Sequence, residues 1–215
     1  MVERGRPRAF DRNEALHRAM RLFWTRGYDG TSVSDLAEAM GINKPSLYAA
    51  FQCKEKLFYD AVALYEREEG GKFLEALQAG PTAREAVGEA LRVNARLFAD
   101  PQKPGGCMIV VSALATDPDH DAVRCFLSGN RSEAEAAYRK RIERGVAEGD
   151  VPAQADAARA AAFYAAIQAG MSVHARDGAG ERSLLEIVDG AMAAWDHVVM
   201  PGIVDNGRPD ETGRS

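Results

Sequence analysis

Residues 30–58 read GTSVSDLAEAMGINKPSLYAAFQCKEKLF, and no other stretch restricts the possible fold as tightly. The run encodes a short capped helix, a glycine-centred turn, a second short helix and the start of a third, an arrangement that fits a DNA major groove. Ser32 is placed to cap the first helix, with Asp35 three residues on approximating a capping box. Leu36, Ala37 and Met40 form its apolar stripe, and Gly41 supplies the left-handed residue that ends it. Ile42 is the apolar residue of the turn. Asn43 caps the next helix, and Pro45 sits in its first turn, where a missing N–H costs little. The spacing predicts a helix from Lys44 to about Phe51 whose exposed face carries Lys44, Ser46 and Tyr48. At ~1.5 Å per residue it is roughly 12 Å long, about the width of the groove it would enter.

The preceding segment belongs to the same unit. From Asp11 to Arg26, Leu16, Ala19, Met20 and Phe23 recur at helical spacing, Trp24 and Tyr28 extend the apolar surface, and Gly27 ends the helix. Ahead of it, Arg4-Gly5-Arg6-Pro7-Arg8 has no apolar periodicity. Three arginines so close to a terminus suit phosphates or a minor groove, with a solvated tail as the plainer alternative.

On these residues the chain resembles the TetR family of transcriptional regulators. The resemblance covers the first 58 residues and rests on GRPR at 5–8, on ALxxAMRLFWTRGYDGTSVSDLAEAMGI from Ala15 to Ile42, and on NKPSLYAAFQCKEKLF from Asn43 to Phe58. It implies an all-helical homodimer with three helices for DNA and about six more for a ligand cavity and dimer interface. It also implies that Thr31, Ser32, Lys44, Pro45, Ser46, Tyr48 and Lys54 meet DNA, with Arg6 of the arm beside them. Two positions depart from the commoner pattern: Ala50 replaces a histidine, and Cys53 replaces the Ser, Asp or Asn that caps the following helix, a weaker cap by about 1 kcal/mol.

Charge agrees once it is divided. Residues 1–56 carry ten Lys/Arg against seven Asp/Glu, a net +3, which leaves −8 on the rest of a 215-residue chain whose total is −5. A mildly basic head on an acidic body is expected when one end faces phosphate. Three widely spaced cysteines argue against a disulfide framework and for a reducing cytoplasm. No secretory start and no apolar run near ~20 residues is visible, so neither export nor a membrane partner is expected.

Beyond the head only helices are predicted. The first runs from Lys54 to about Leu77, loosened at Gly70–Gly71. Pro81 and Thr82 open the next, and Pro101 through Gly106 breaks it. Cys107 to about Ala115 is read as a helix despite its β-branched residues, because no partner strand exists. Further helices are placed from Asp117–Asp119 to Gly149, from Val151–Pro152 to about Ala175, and from Ser183 to Met200. The tail 201–215 is expected to be disordered. The alanine-rich penultimate helix and the last one suit either their own core or, as the resemblance implies, a two-fold four-helix interface that spaces two heads for a palindromic operator.

Candidates for lining an effector cavity are the aromatic and apolar residues Phe98, Met108, Val111, Tyr138, Phe163 and Tyr164, joined by Phe58, Tyr65 and Leu114; plain core is the competing reading of each. Cys107 follows Pro104-Gly105-Gly106 at a helix start, where exposed N–H groups and the dipole favour thiolate; a buried structural thiol is the alternative. Cys107, Met108, His120 and Cys125 lack paired metal-ligand spacing, so no metal and no cofactor is expected. No phosphate loop or nucleophile elbow is present, so an enzyme is not expected.

The sequence therefore predicts an all-α chain of about nine helices: residues 1–56 a helix-turn-helix DNA-binding domain with an arm at 1–9, residues 57–200 an effector-binding and dimerisation domain, and a tail at 201–215. The expected function is a cytoplasmic homodimeric repressor of a palindromic double-stranded operator, released by a small-molecule or thiol-reactive effector. The alternative is a helical interaction module or enzyme with a vestigial helix-turn-helix.

Overall fold

The computed structural model describes residues 11–114 and 116–200; the Arg6 arm and the tail 201–215 lie outside them. Every regular element among the described residues is helical. α1 (Arg12–Arg26) starts at Asp11, whose carboxylate accepts from the N–H groups of Asn13 at 2.8 Å and Glu14 at 3.2 Å. It ends at Gly27, where φ is 72° and a side chain would be strained. α2 (Val33–Met40) begins with the predicted capping box and ends at left-handed Gly41. α3 (Lys44–Phe51) starts at Asn43, whose Oδ1 accepts from Ser46 N–H at 2.8 Å. All three boundaries follow from chemistry within four residues of the helix end.

α4 (Lys54–Tyr65) passes through a π-helical turn, Glu66–Gly70, into α5 (Gly71–Ala79). The glycine pair loosens the rod as the sequence suggested, here as a wider turn rather than a break. α6 (Ala83–Phe98) is capped by Thr82. The Pro101–Gly106 loop then presses on the helix that carries Ser172: a Cβ at Gly106 would lie 2.3 Å from the Ser172 carbonyl oxygen, and φ there is +75°. α7 (Met108–Leu114) is helical, and α8 (Asp121–Glu148) ends at left-handed Gly149. α9 (Ala157–Arg176), α10 (Glu181–Ala193) and α11 (Trp195–Val199) complete the body, with Ala194 alone separating the last two.

Several predicted boundaries shift: α8 begins at Asp121 rather than at Asp117–Asp119, and the last predicted helix is interrupted at Ala194. The helix placed from Val151–Pro152 begins only at Ala157, because the cap is Asp156, whose carboxylate accepts from Arg159 N–H at 3.0 Å. Asp150 and Val151 instead donate their N–H groups to the Gly145 carbonyl, which fixes the intervening segment as a loop. The final helix starts at Glu181 rather than Ser183.

Aromatic side chains join the amino-terminal helices to the rest. Phe23 meets Phe58 edge-on at 5.0 Å, and Trp24 meets Tyr65 at 4.9 Å. Trp24 Nε1 donates to the Gly106 carbonyl at 3.0 Å. Asp29 accepts from the Asp117 N–H and lies 2.6 Å from His120 Nδ1, at the start of α8. Arg176, at the end of α9, donates to the carbonyls of Trp24 and Thr25. α1 and the turn that leads into α2 are thus tied to both long helices of the body.

Candidate nucleic-acid interface and interior cavity

α3 is two-sided. Leu47 and Phe51 are buried against α2 and α4, which turns Lys44, Pro45 and Tyr48 outward. Tyr48 is 48% exposed, unusual for so large a side chain. Lys44 makes no ion pair among the described residues, whereas Arg12 and Lys56 both pair with Asp60. Ser46 is half-buried beside them. A cation, an aromatic ring and a hydroxyl on one short helix can address phosphates and base edges together.

The other sequence candidates have different surroundings. Ser32 is exposed, and its hydroxyl donates to Asp35 at 2.6 Å while accepting from the Asp35 N–H at 3.1 Å. The Ser32 hydroxyl and the Ser32 backbone N–H, which donates to the same carboxylate at 2.8 Å, hold the Asp35 carboxyl below the usual carboxylate range, with Arg26 adding to the effect. Thr31 is fully buried, and its hydroxyl donates to the Gly27 carbonyl at 2.8 Å, so the side chain braces the α1–α2 turn. The Lys54 ammonium stands 4.0 Å over the Tyr28 ring. Burial lowers its pKa, and Asp29 opposes the shift. Cys53 acts as the cap of α4 after all, its sulfur accepting from Lys56 N–H at a long 3.4 Å. Arg6 is outside the described residues.

The body holds a half-open cavity of about 720 Å³ among α4, the π turn, α5, α6, α8, the start of α7 and, through Gln168, α9. Its apolar wall includes Phe73, Leu77, Leu97, Phe98 and Ile109. Of the sequence candidates, Phe98, Cys107 and Tyr65 line it. Met108 is buried, and Tyr138 is buried edge-on to Phe73 at 5.1 Å, its hydroxyl donating to Gln168 Oε1 at 2.8 Å. Tyr164 packs on Trp195 at 5.6 Å, Phe58 is buried among Phe23 and Tyr28, and Val111 and Phe163 are half-buried elsewhere. Leu114 is 70% exposed.

Polar groups at the cavity fall into two sets. Glu66 accepts from Asn130 Nδ2 at 2.7 Å, and Glu69 pairs with Lys103 at 2.6 Å and Lys72 at 3.3 Å. Asn94 and Arg141 are each only 4% exposed, and neither is satisfied. The Arg141 Nη2 donates to the Gly80 carbonyl at 3.1 Å, but Nε and Nη1 have no acceptor, and nor does Asn94 Nδ2. Sequence reasoning missed Arg141. Its signal was a cation lodged between Tyr138 and Ile142 on the apolar stripe of α8.

Cys107 corrects the sequence argument. The N–H groups of Ile109 and Val110 do point at its sulfur, and the Tyr65 hydroxyl donates to it, all favouring thiolate. Burial outweighs them and pushes the thiol up, not down. Its own N–H donates to Ser172 Oγ at 2.7 Å. Cys53 and Cys125 are exposed. His120 is engaged by Asp29, and no group of three or more His, Cys, Asp or Glu suited to a metal occurs among the described residues. No described helix is long and apolar enough to cross a membrane.

α9 and α10 each bury one face and leave another open. Ala160, Ala161, Tyr164 and Met171 point inward with Leu184, Val188 and Met192. Phe163, Ile167, Leu185 and Ile187 remain half-buried, beside exposed Ala162, Ala166 and Gly170.

Comparison with known proteins bears on the whole chain. Residues 15–61 match the family described as bacterial regulatory proteins, tetR family, and residues 83–185 match the tetracyclin repressor-like C-terminal domain. The HTH-type transcriptional repressor ComR of Escherichia coli (strain K12) is 32% identical over 201 residues, which span 91% of this chain and 94% of ComR. A solved cysteine mutant of the TetR family transcriptional regulator CifR, complexed with 26bp double-strand operator DNA, is 46% identical with a TM-score of 0.85, over 89% of this chain and 100% of that one. A putative TetR transcriptional regulator from Rhodococcus sp. RHA1 is 37% identical with a TM-score of 0.56, over 89% of this chain and 100% of its own. With the helix-turn-helix and the helical body both matched, the chain belongs to the TetR family of transcriptional regulators.

Proposed function

We propose that this protein is a homodimeric repressor that grips a palindromic operator with α3 and lets go when a ligand enters the body cavity. The single observation that carries the reading is the division of α3: Leu47 and Phe51 fix the helix while Lys44 and Tyr48 face outward, Lys44 without an ion pair among the described residues. The operator complex of CifR, 46% identical, supports DNA as the partner. Residues 1–56 act as the DNA-binding domain and 57–200 as the effector-binding and dimerisation domain, in the cytoplasm. Lys44, Pro45, Ser46 and Tyr48 meet the groove, Ser32 and Lys54 flank it, and Thr31 supports the turn from within. The open face of α9 and α10, with Phe163, Ile167, Leu185 and Ile187, supplies the two-fold interface.

Release works through the ties between head and body. α8 lines the cavity and begins beside His120, which holds Asp29 of the head; α9 supplies Gln168 to the cavity and Arg176 to the end of α1. A ligand that favours one arrangement of α8 and α9 shifts the heads, and only its differential affinity for the two arrangements drives that change. The effector is a reversibly bound small molecule or one that captures the Cys107 thiol at the cavity wall.

Genomic fragments selected by the purified protein supply the palindrome for the test. Lys44→Ala and Tyr48→Ala each weaken its binding about fivefold to 100-fold, and Lys44→Ala lowers the salt slope by roughly one. Circular dichroism and sedimentation of both variants match the parent. Unchanged binding by both overturns the groove assignment, and a monomeric parent that binds all duplexes alike overturns the repressor reading.

A further inference from the structure

Arg141 is a guanidinium sunk into an apolar helical body without a counter-charge. It makes no ion pair among the described residues and keeps one hydrogen bond, from Nη2 to the Gly80 carbonyl at 3.1 Å. Its Nε and Nη1 face no acceptor, although the residue is 4% exposed. A buried charge held so incompletely is costly, and such a group is retained where something else completes it. Asn94, on α6, repeats the pattern: it is 4% exposed, and its Nδ2 donates to nothing. Both residues line the same cavity, and both offer donors rather than acceptors. Lys140 and Arg144, exposed at its rim, put two further cations within one turn of Arg141 on α8, Arg144 being already paired with Glu148 at 2.9 Å.

Two of the three acidic groups of the cavity are already answered, and the third, Glu133, is exposed to solvent on α8, about two turns from Arg141. Glu66 has Asn130, and Glu69 has Lys72 and Lys103. They lie toward the π turn and the middle of α8, away from the end where Arg141 sits. Between the two ends the wall is apolar, with Phe73, Leu77 and Phe98. Among the buried groups that line the cavity, the unmet demand is for an anion that accepts from Arg141 and Asn94, attached to an apolar body.

We infer that the cavity binds an amphipathic carboxylic acid, its carboxylate accepting from Arg141 and Asn94 and its apolar portion lying on Phe73, Leu77 and Phe98. Carboxylate supplies both the charge and the several lone pairs that these donors lack, and charge-assisted bonds of this kind are the strong ones. Alcohols and carboxamides of the same shape supply lone pairs but leave the guanidinium charge uncompensated. The assignment rests on the proposed role of the cavity as an effector site only for its regulatory consequence, since binding itself is read separately.

The probes are a panel of straight-chain acids from hexanoate to tetradecanoate together with 4-phenylbutyrate, each paired with its alcohol and primary amide. Calorimetry and thermal shift on the full chain read binding, and fluorescence anisotropy of labelled operator reads release in the same titration. At least one acid is expected to bind about tenfold or more tightly than its alcohol and amide. Arg141→Gln erases that preference, and Asn94→Leu, which removes one donor and keeps the charge, reduces it. The matched neutral probes on unaltered protein keep the test decisive if Arg141→Gln does not fold. If no acid in the panel is favoured over its neutral partners, or if the preference persists in folded Arg141→Gln, the carboxylate assignment is overturned. An acid that binds through Arg141 yet leaves the operator bound sustains the assignment and removes the effector reading. Release by neutral probes, indifferent to Arg141, does the reverse.

Discussion

The amino-terminal helices and the body handle buried polarity in opposite ways. In the head, the polar groups near helix ends are matched locally: Ser32 with Asp35, Asn43 with Ser46, Thr31 with Gly27. In the body, Asn94, Ser112, Arg131, Arg141 and Tyr164 keep buried side-chain atoms without partners. No residue before Asn94 has such an atom among the described residues. A head that must present a rigid face to DNA gains from having no internal choice of partner. On the proposed function, a body that changes arrangement around a ligand gains from donors left for that ligand to complete. Departure from local consistency marks the part of a protein where function has taken precedence over stability.

The largest expected effect separates the two regions by packing. Leu47 is fully buried at the centre of the small head, and Leu47→Ala should destabilise by about 3–5 kcal/mol, near the upper end for such a truncation. Leu77 is as well covered by protein but lines the existing cavity. Leu77→Ala enlarges a space already present and should cost less, about 2–3 kcal/mol. Denaturant unfolding of the two variants decides it, and an equal or larger cost at Leu77 would break the contrast.

A smaller effect tests the local matching. Ser32→Ala removes the cap of α2 and should cost about 1 kcal/mol. The Asp35 side of the same motif has a pH signature. Its folded pKa lies below the ordinary carboxylate value, so its contribution is complete above that value and fades as pH falls through the lower folded one. The stability gap between parent and Ser32→Ala should therefore narrow in acid. A gap of constant size down to pH 2 would mean that the Asp35 bonds contribute nothing beyond the cap itself.

The same contrast explains what was legible in the sequence. Gly27, Gly41, Ser32 and Asn43 act within a few residues of themselves, so the head could be read almost residue by residue. In the body, the helices could be located from apolar periodicity, but their sides could not. Tyr138 and Phe163 looked alike as candidate lining residues, yet one is buried and the other lies half-buried on the open side of α9. Arg141 stands on the apolar stripe of α8 between Tyr138 and Ile142, but it is the packing of α5 and α6 against α8 that makes this face interior. The start of α9 was misjudged for a related reason: the hydrogen bonds of Asp150 and Val151 to Gly145 hold the loop open to Asp156.

Cys107 puts the local and the long-range arguments on one atom, and the smallest prediction follows from it. The amide hydrogens of Ile109 and Val110 and the Tyr65 hydroxyl favour thiolate; burial favours thiol and prevails. A folded pKa above the unfolded value means that the neutral thiol adds stability below the unfolded pKa, and that this is lost as pH rises through the folded one. It also means slow alkylation at neutral pH, accelerating on the alkaline side of an ordinary cysteine. Iodoacetamide followed by mass spectrometry should therefore label exposed Cys53 and Cys125 before Cys107 at pH 7, with the order lost in denaturant. Tyr65→Phe deletes a hydrogen bond that opposes the burial effect, so it should slow Cys107 labelling by a further two- to threefold or so, the net worth of one weak bond. Faster labelling in Tyr65→Phe would mean that the Tyr65 ring bars the route to the sulfur more than its hydroxyl steadies the thiolate, and the balance of forces at this cysteine would have to be redrawn around access instead of charge.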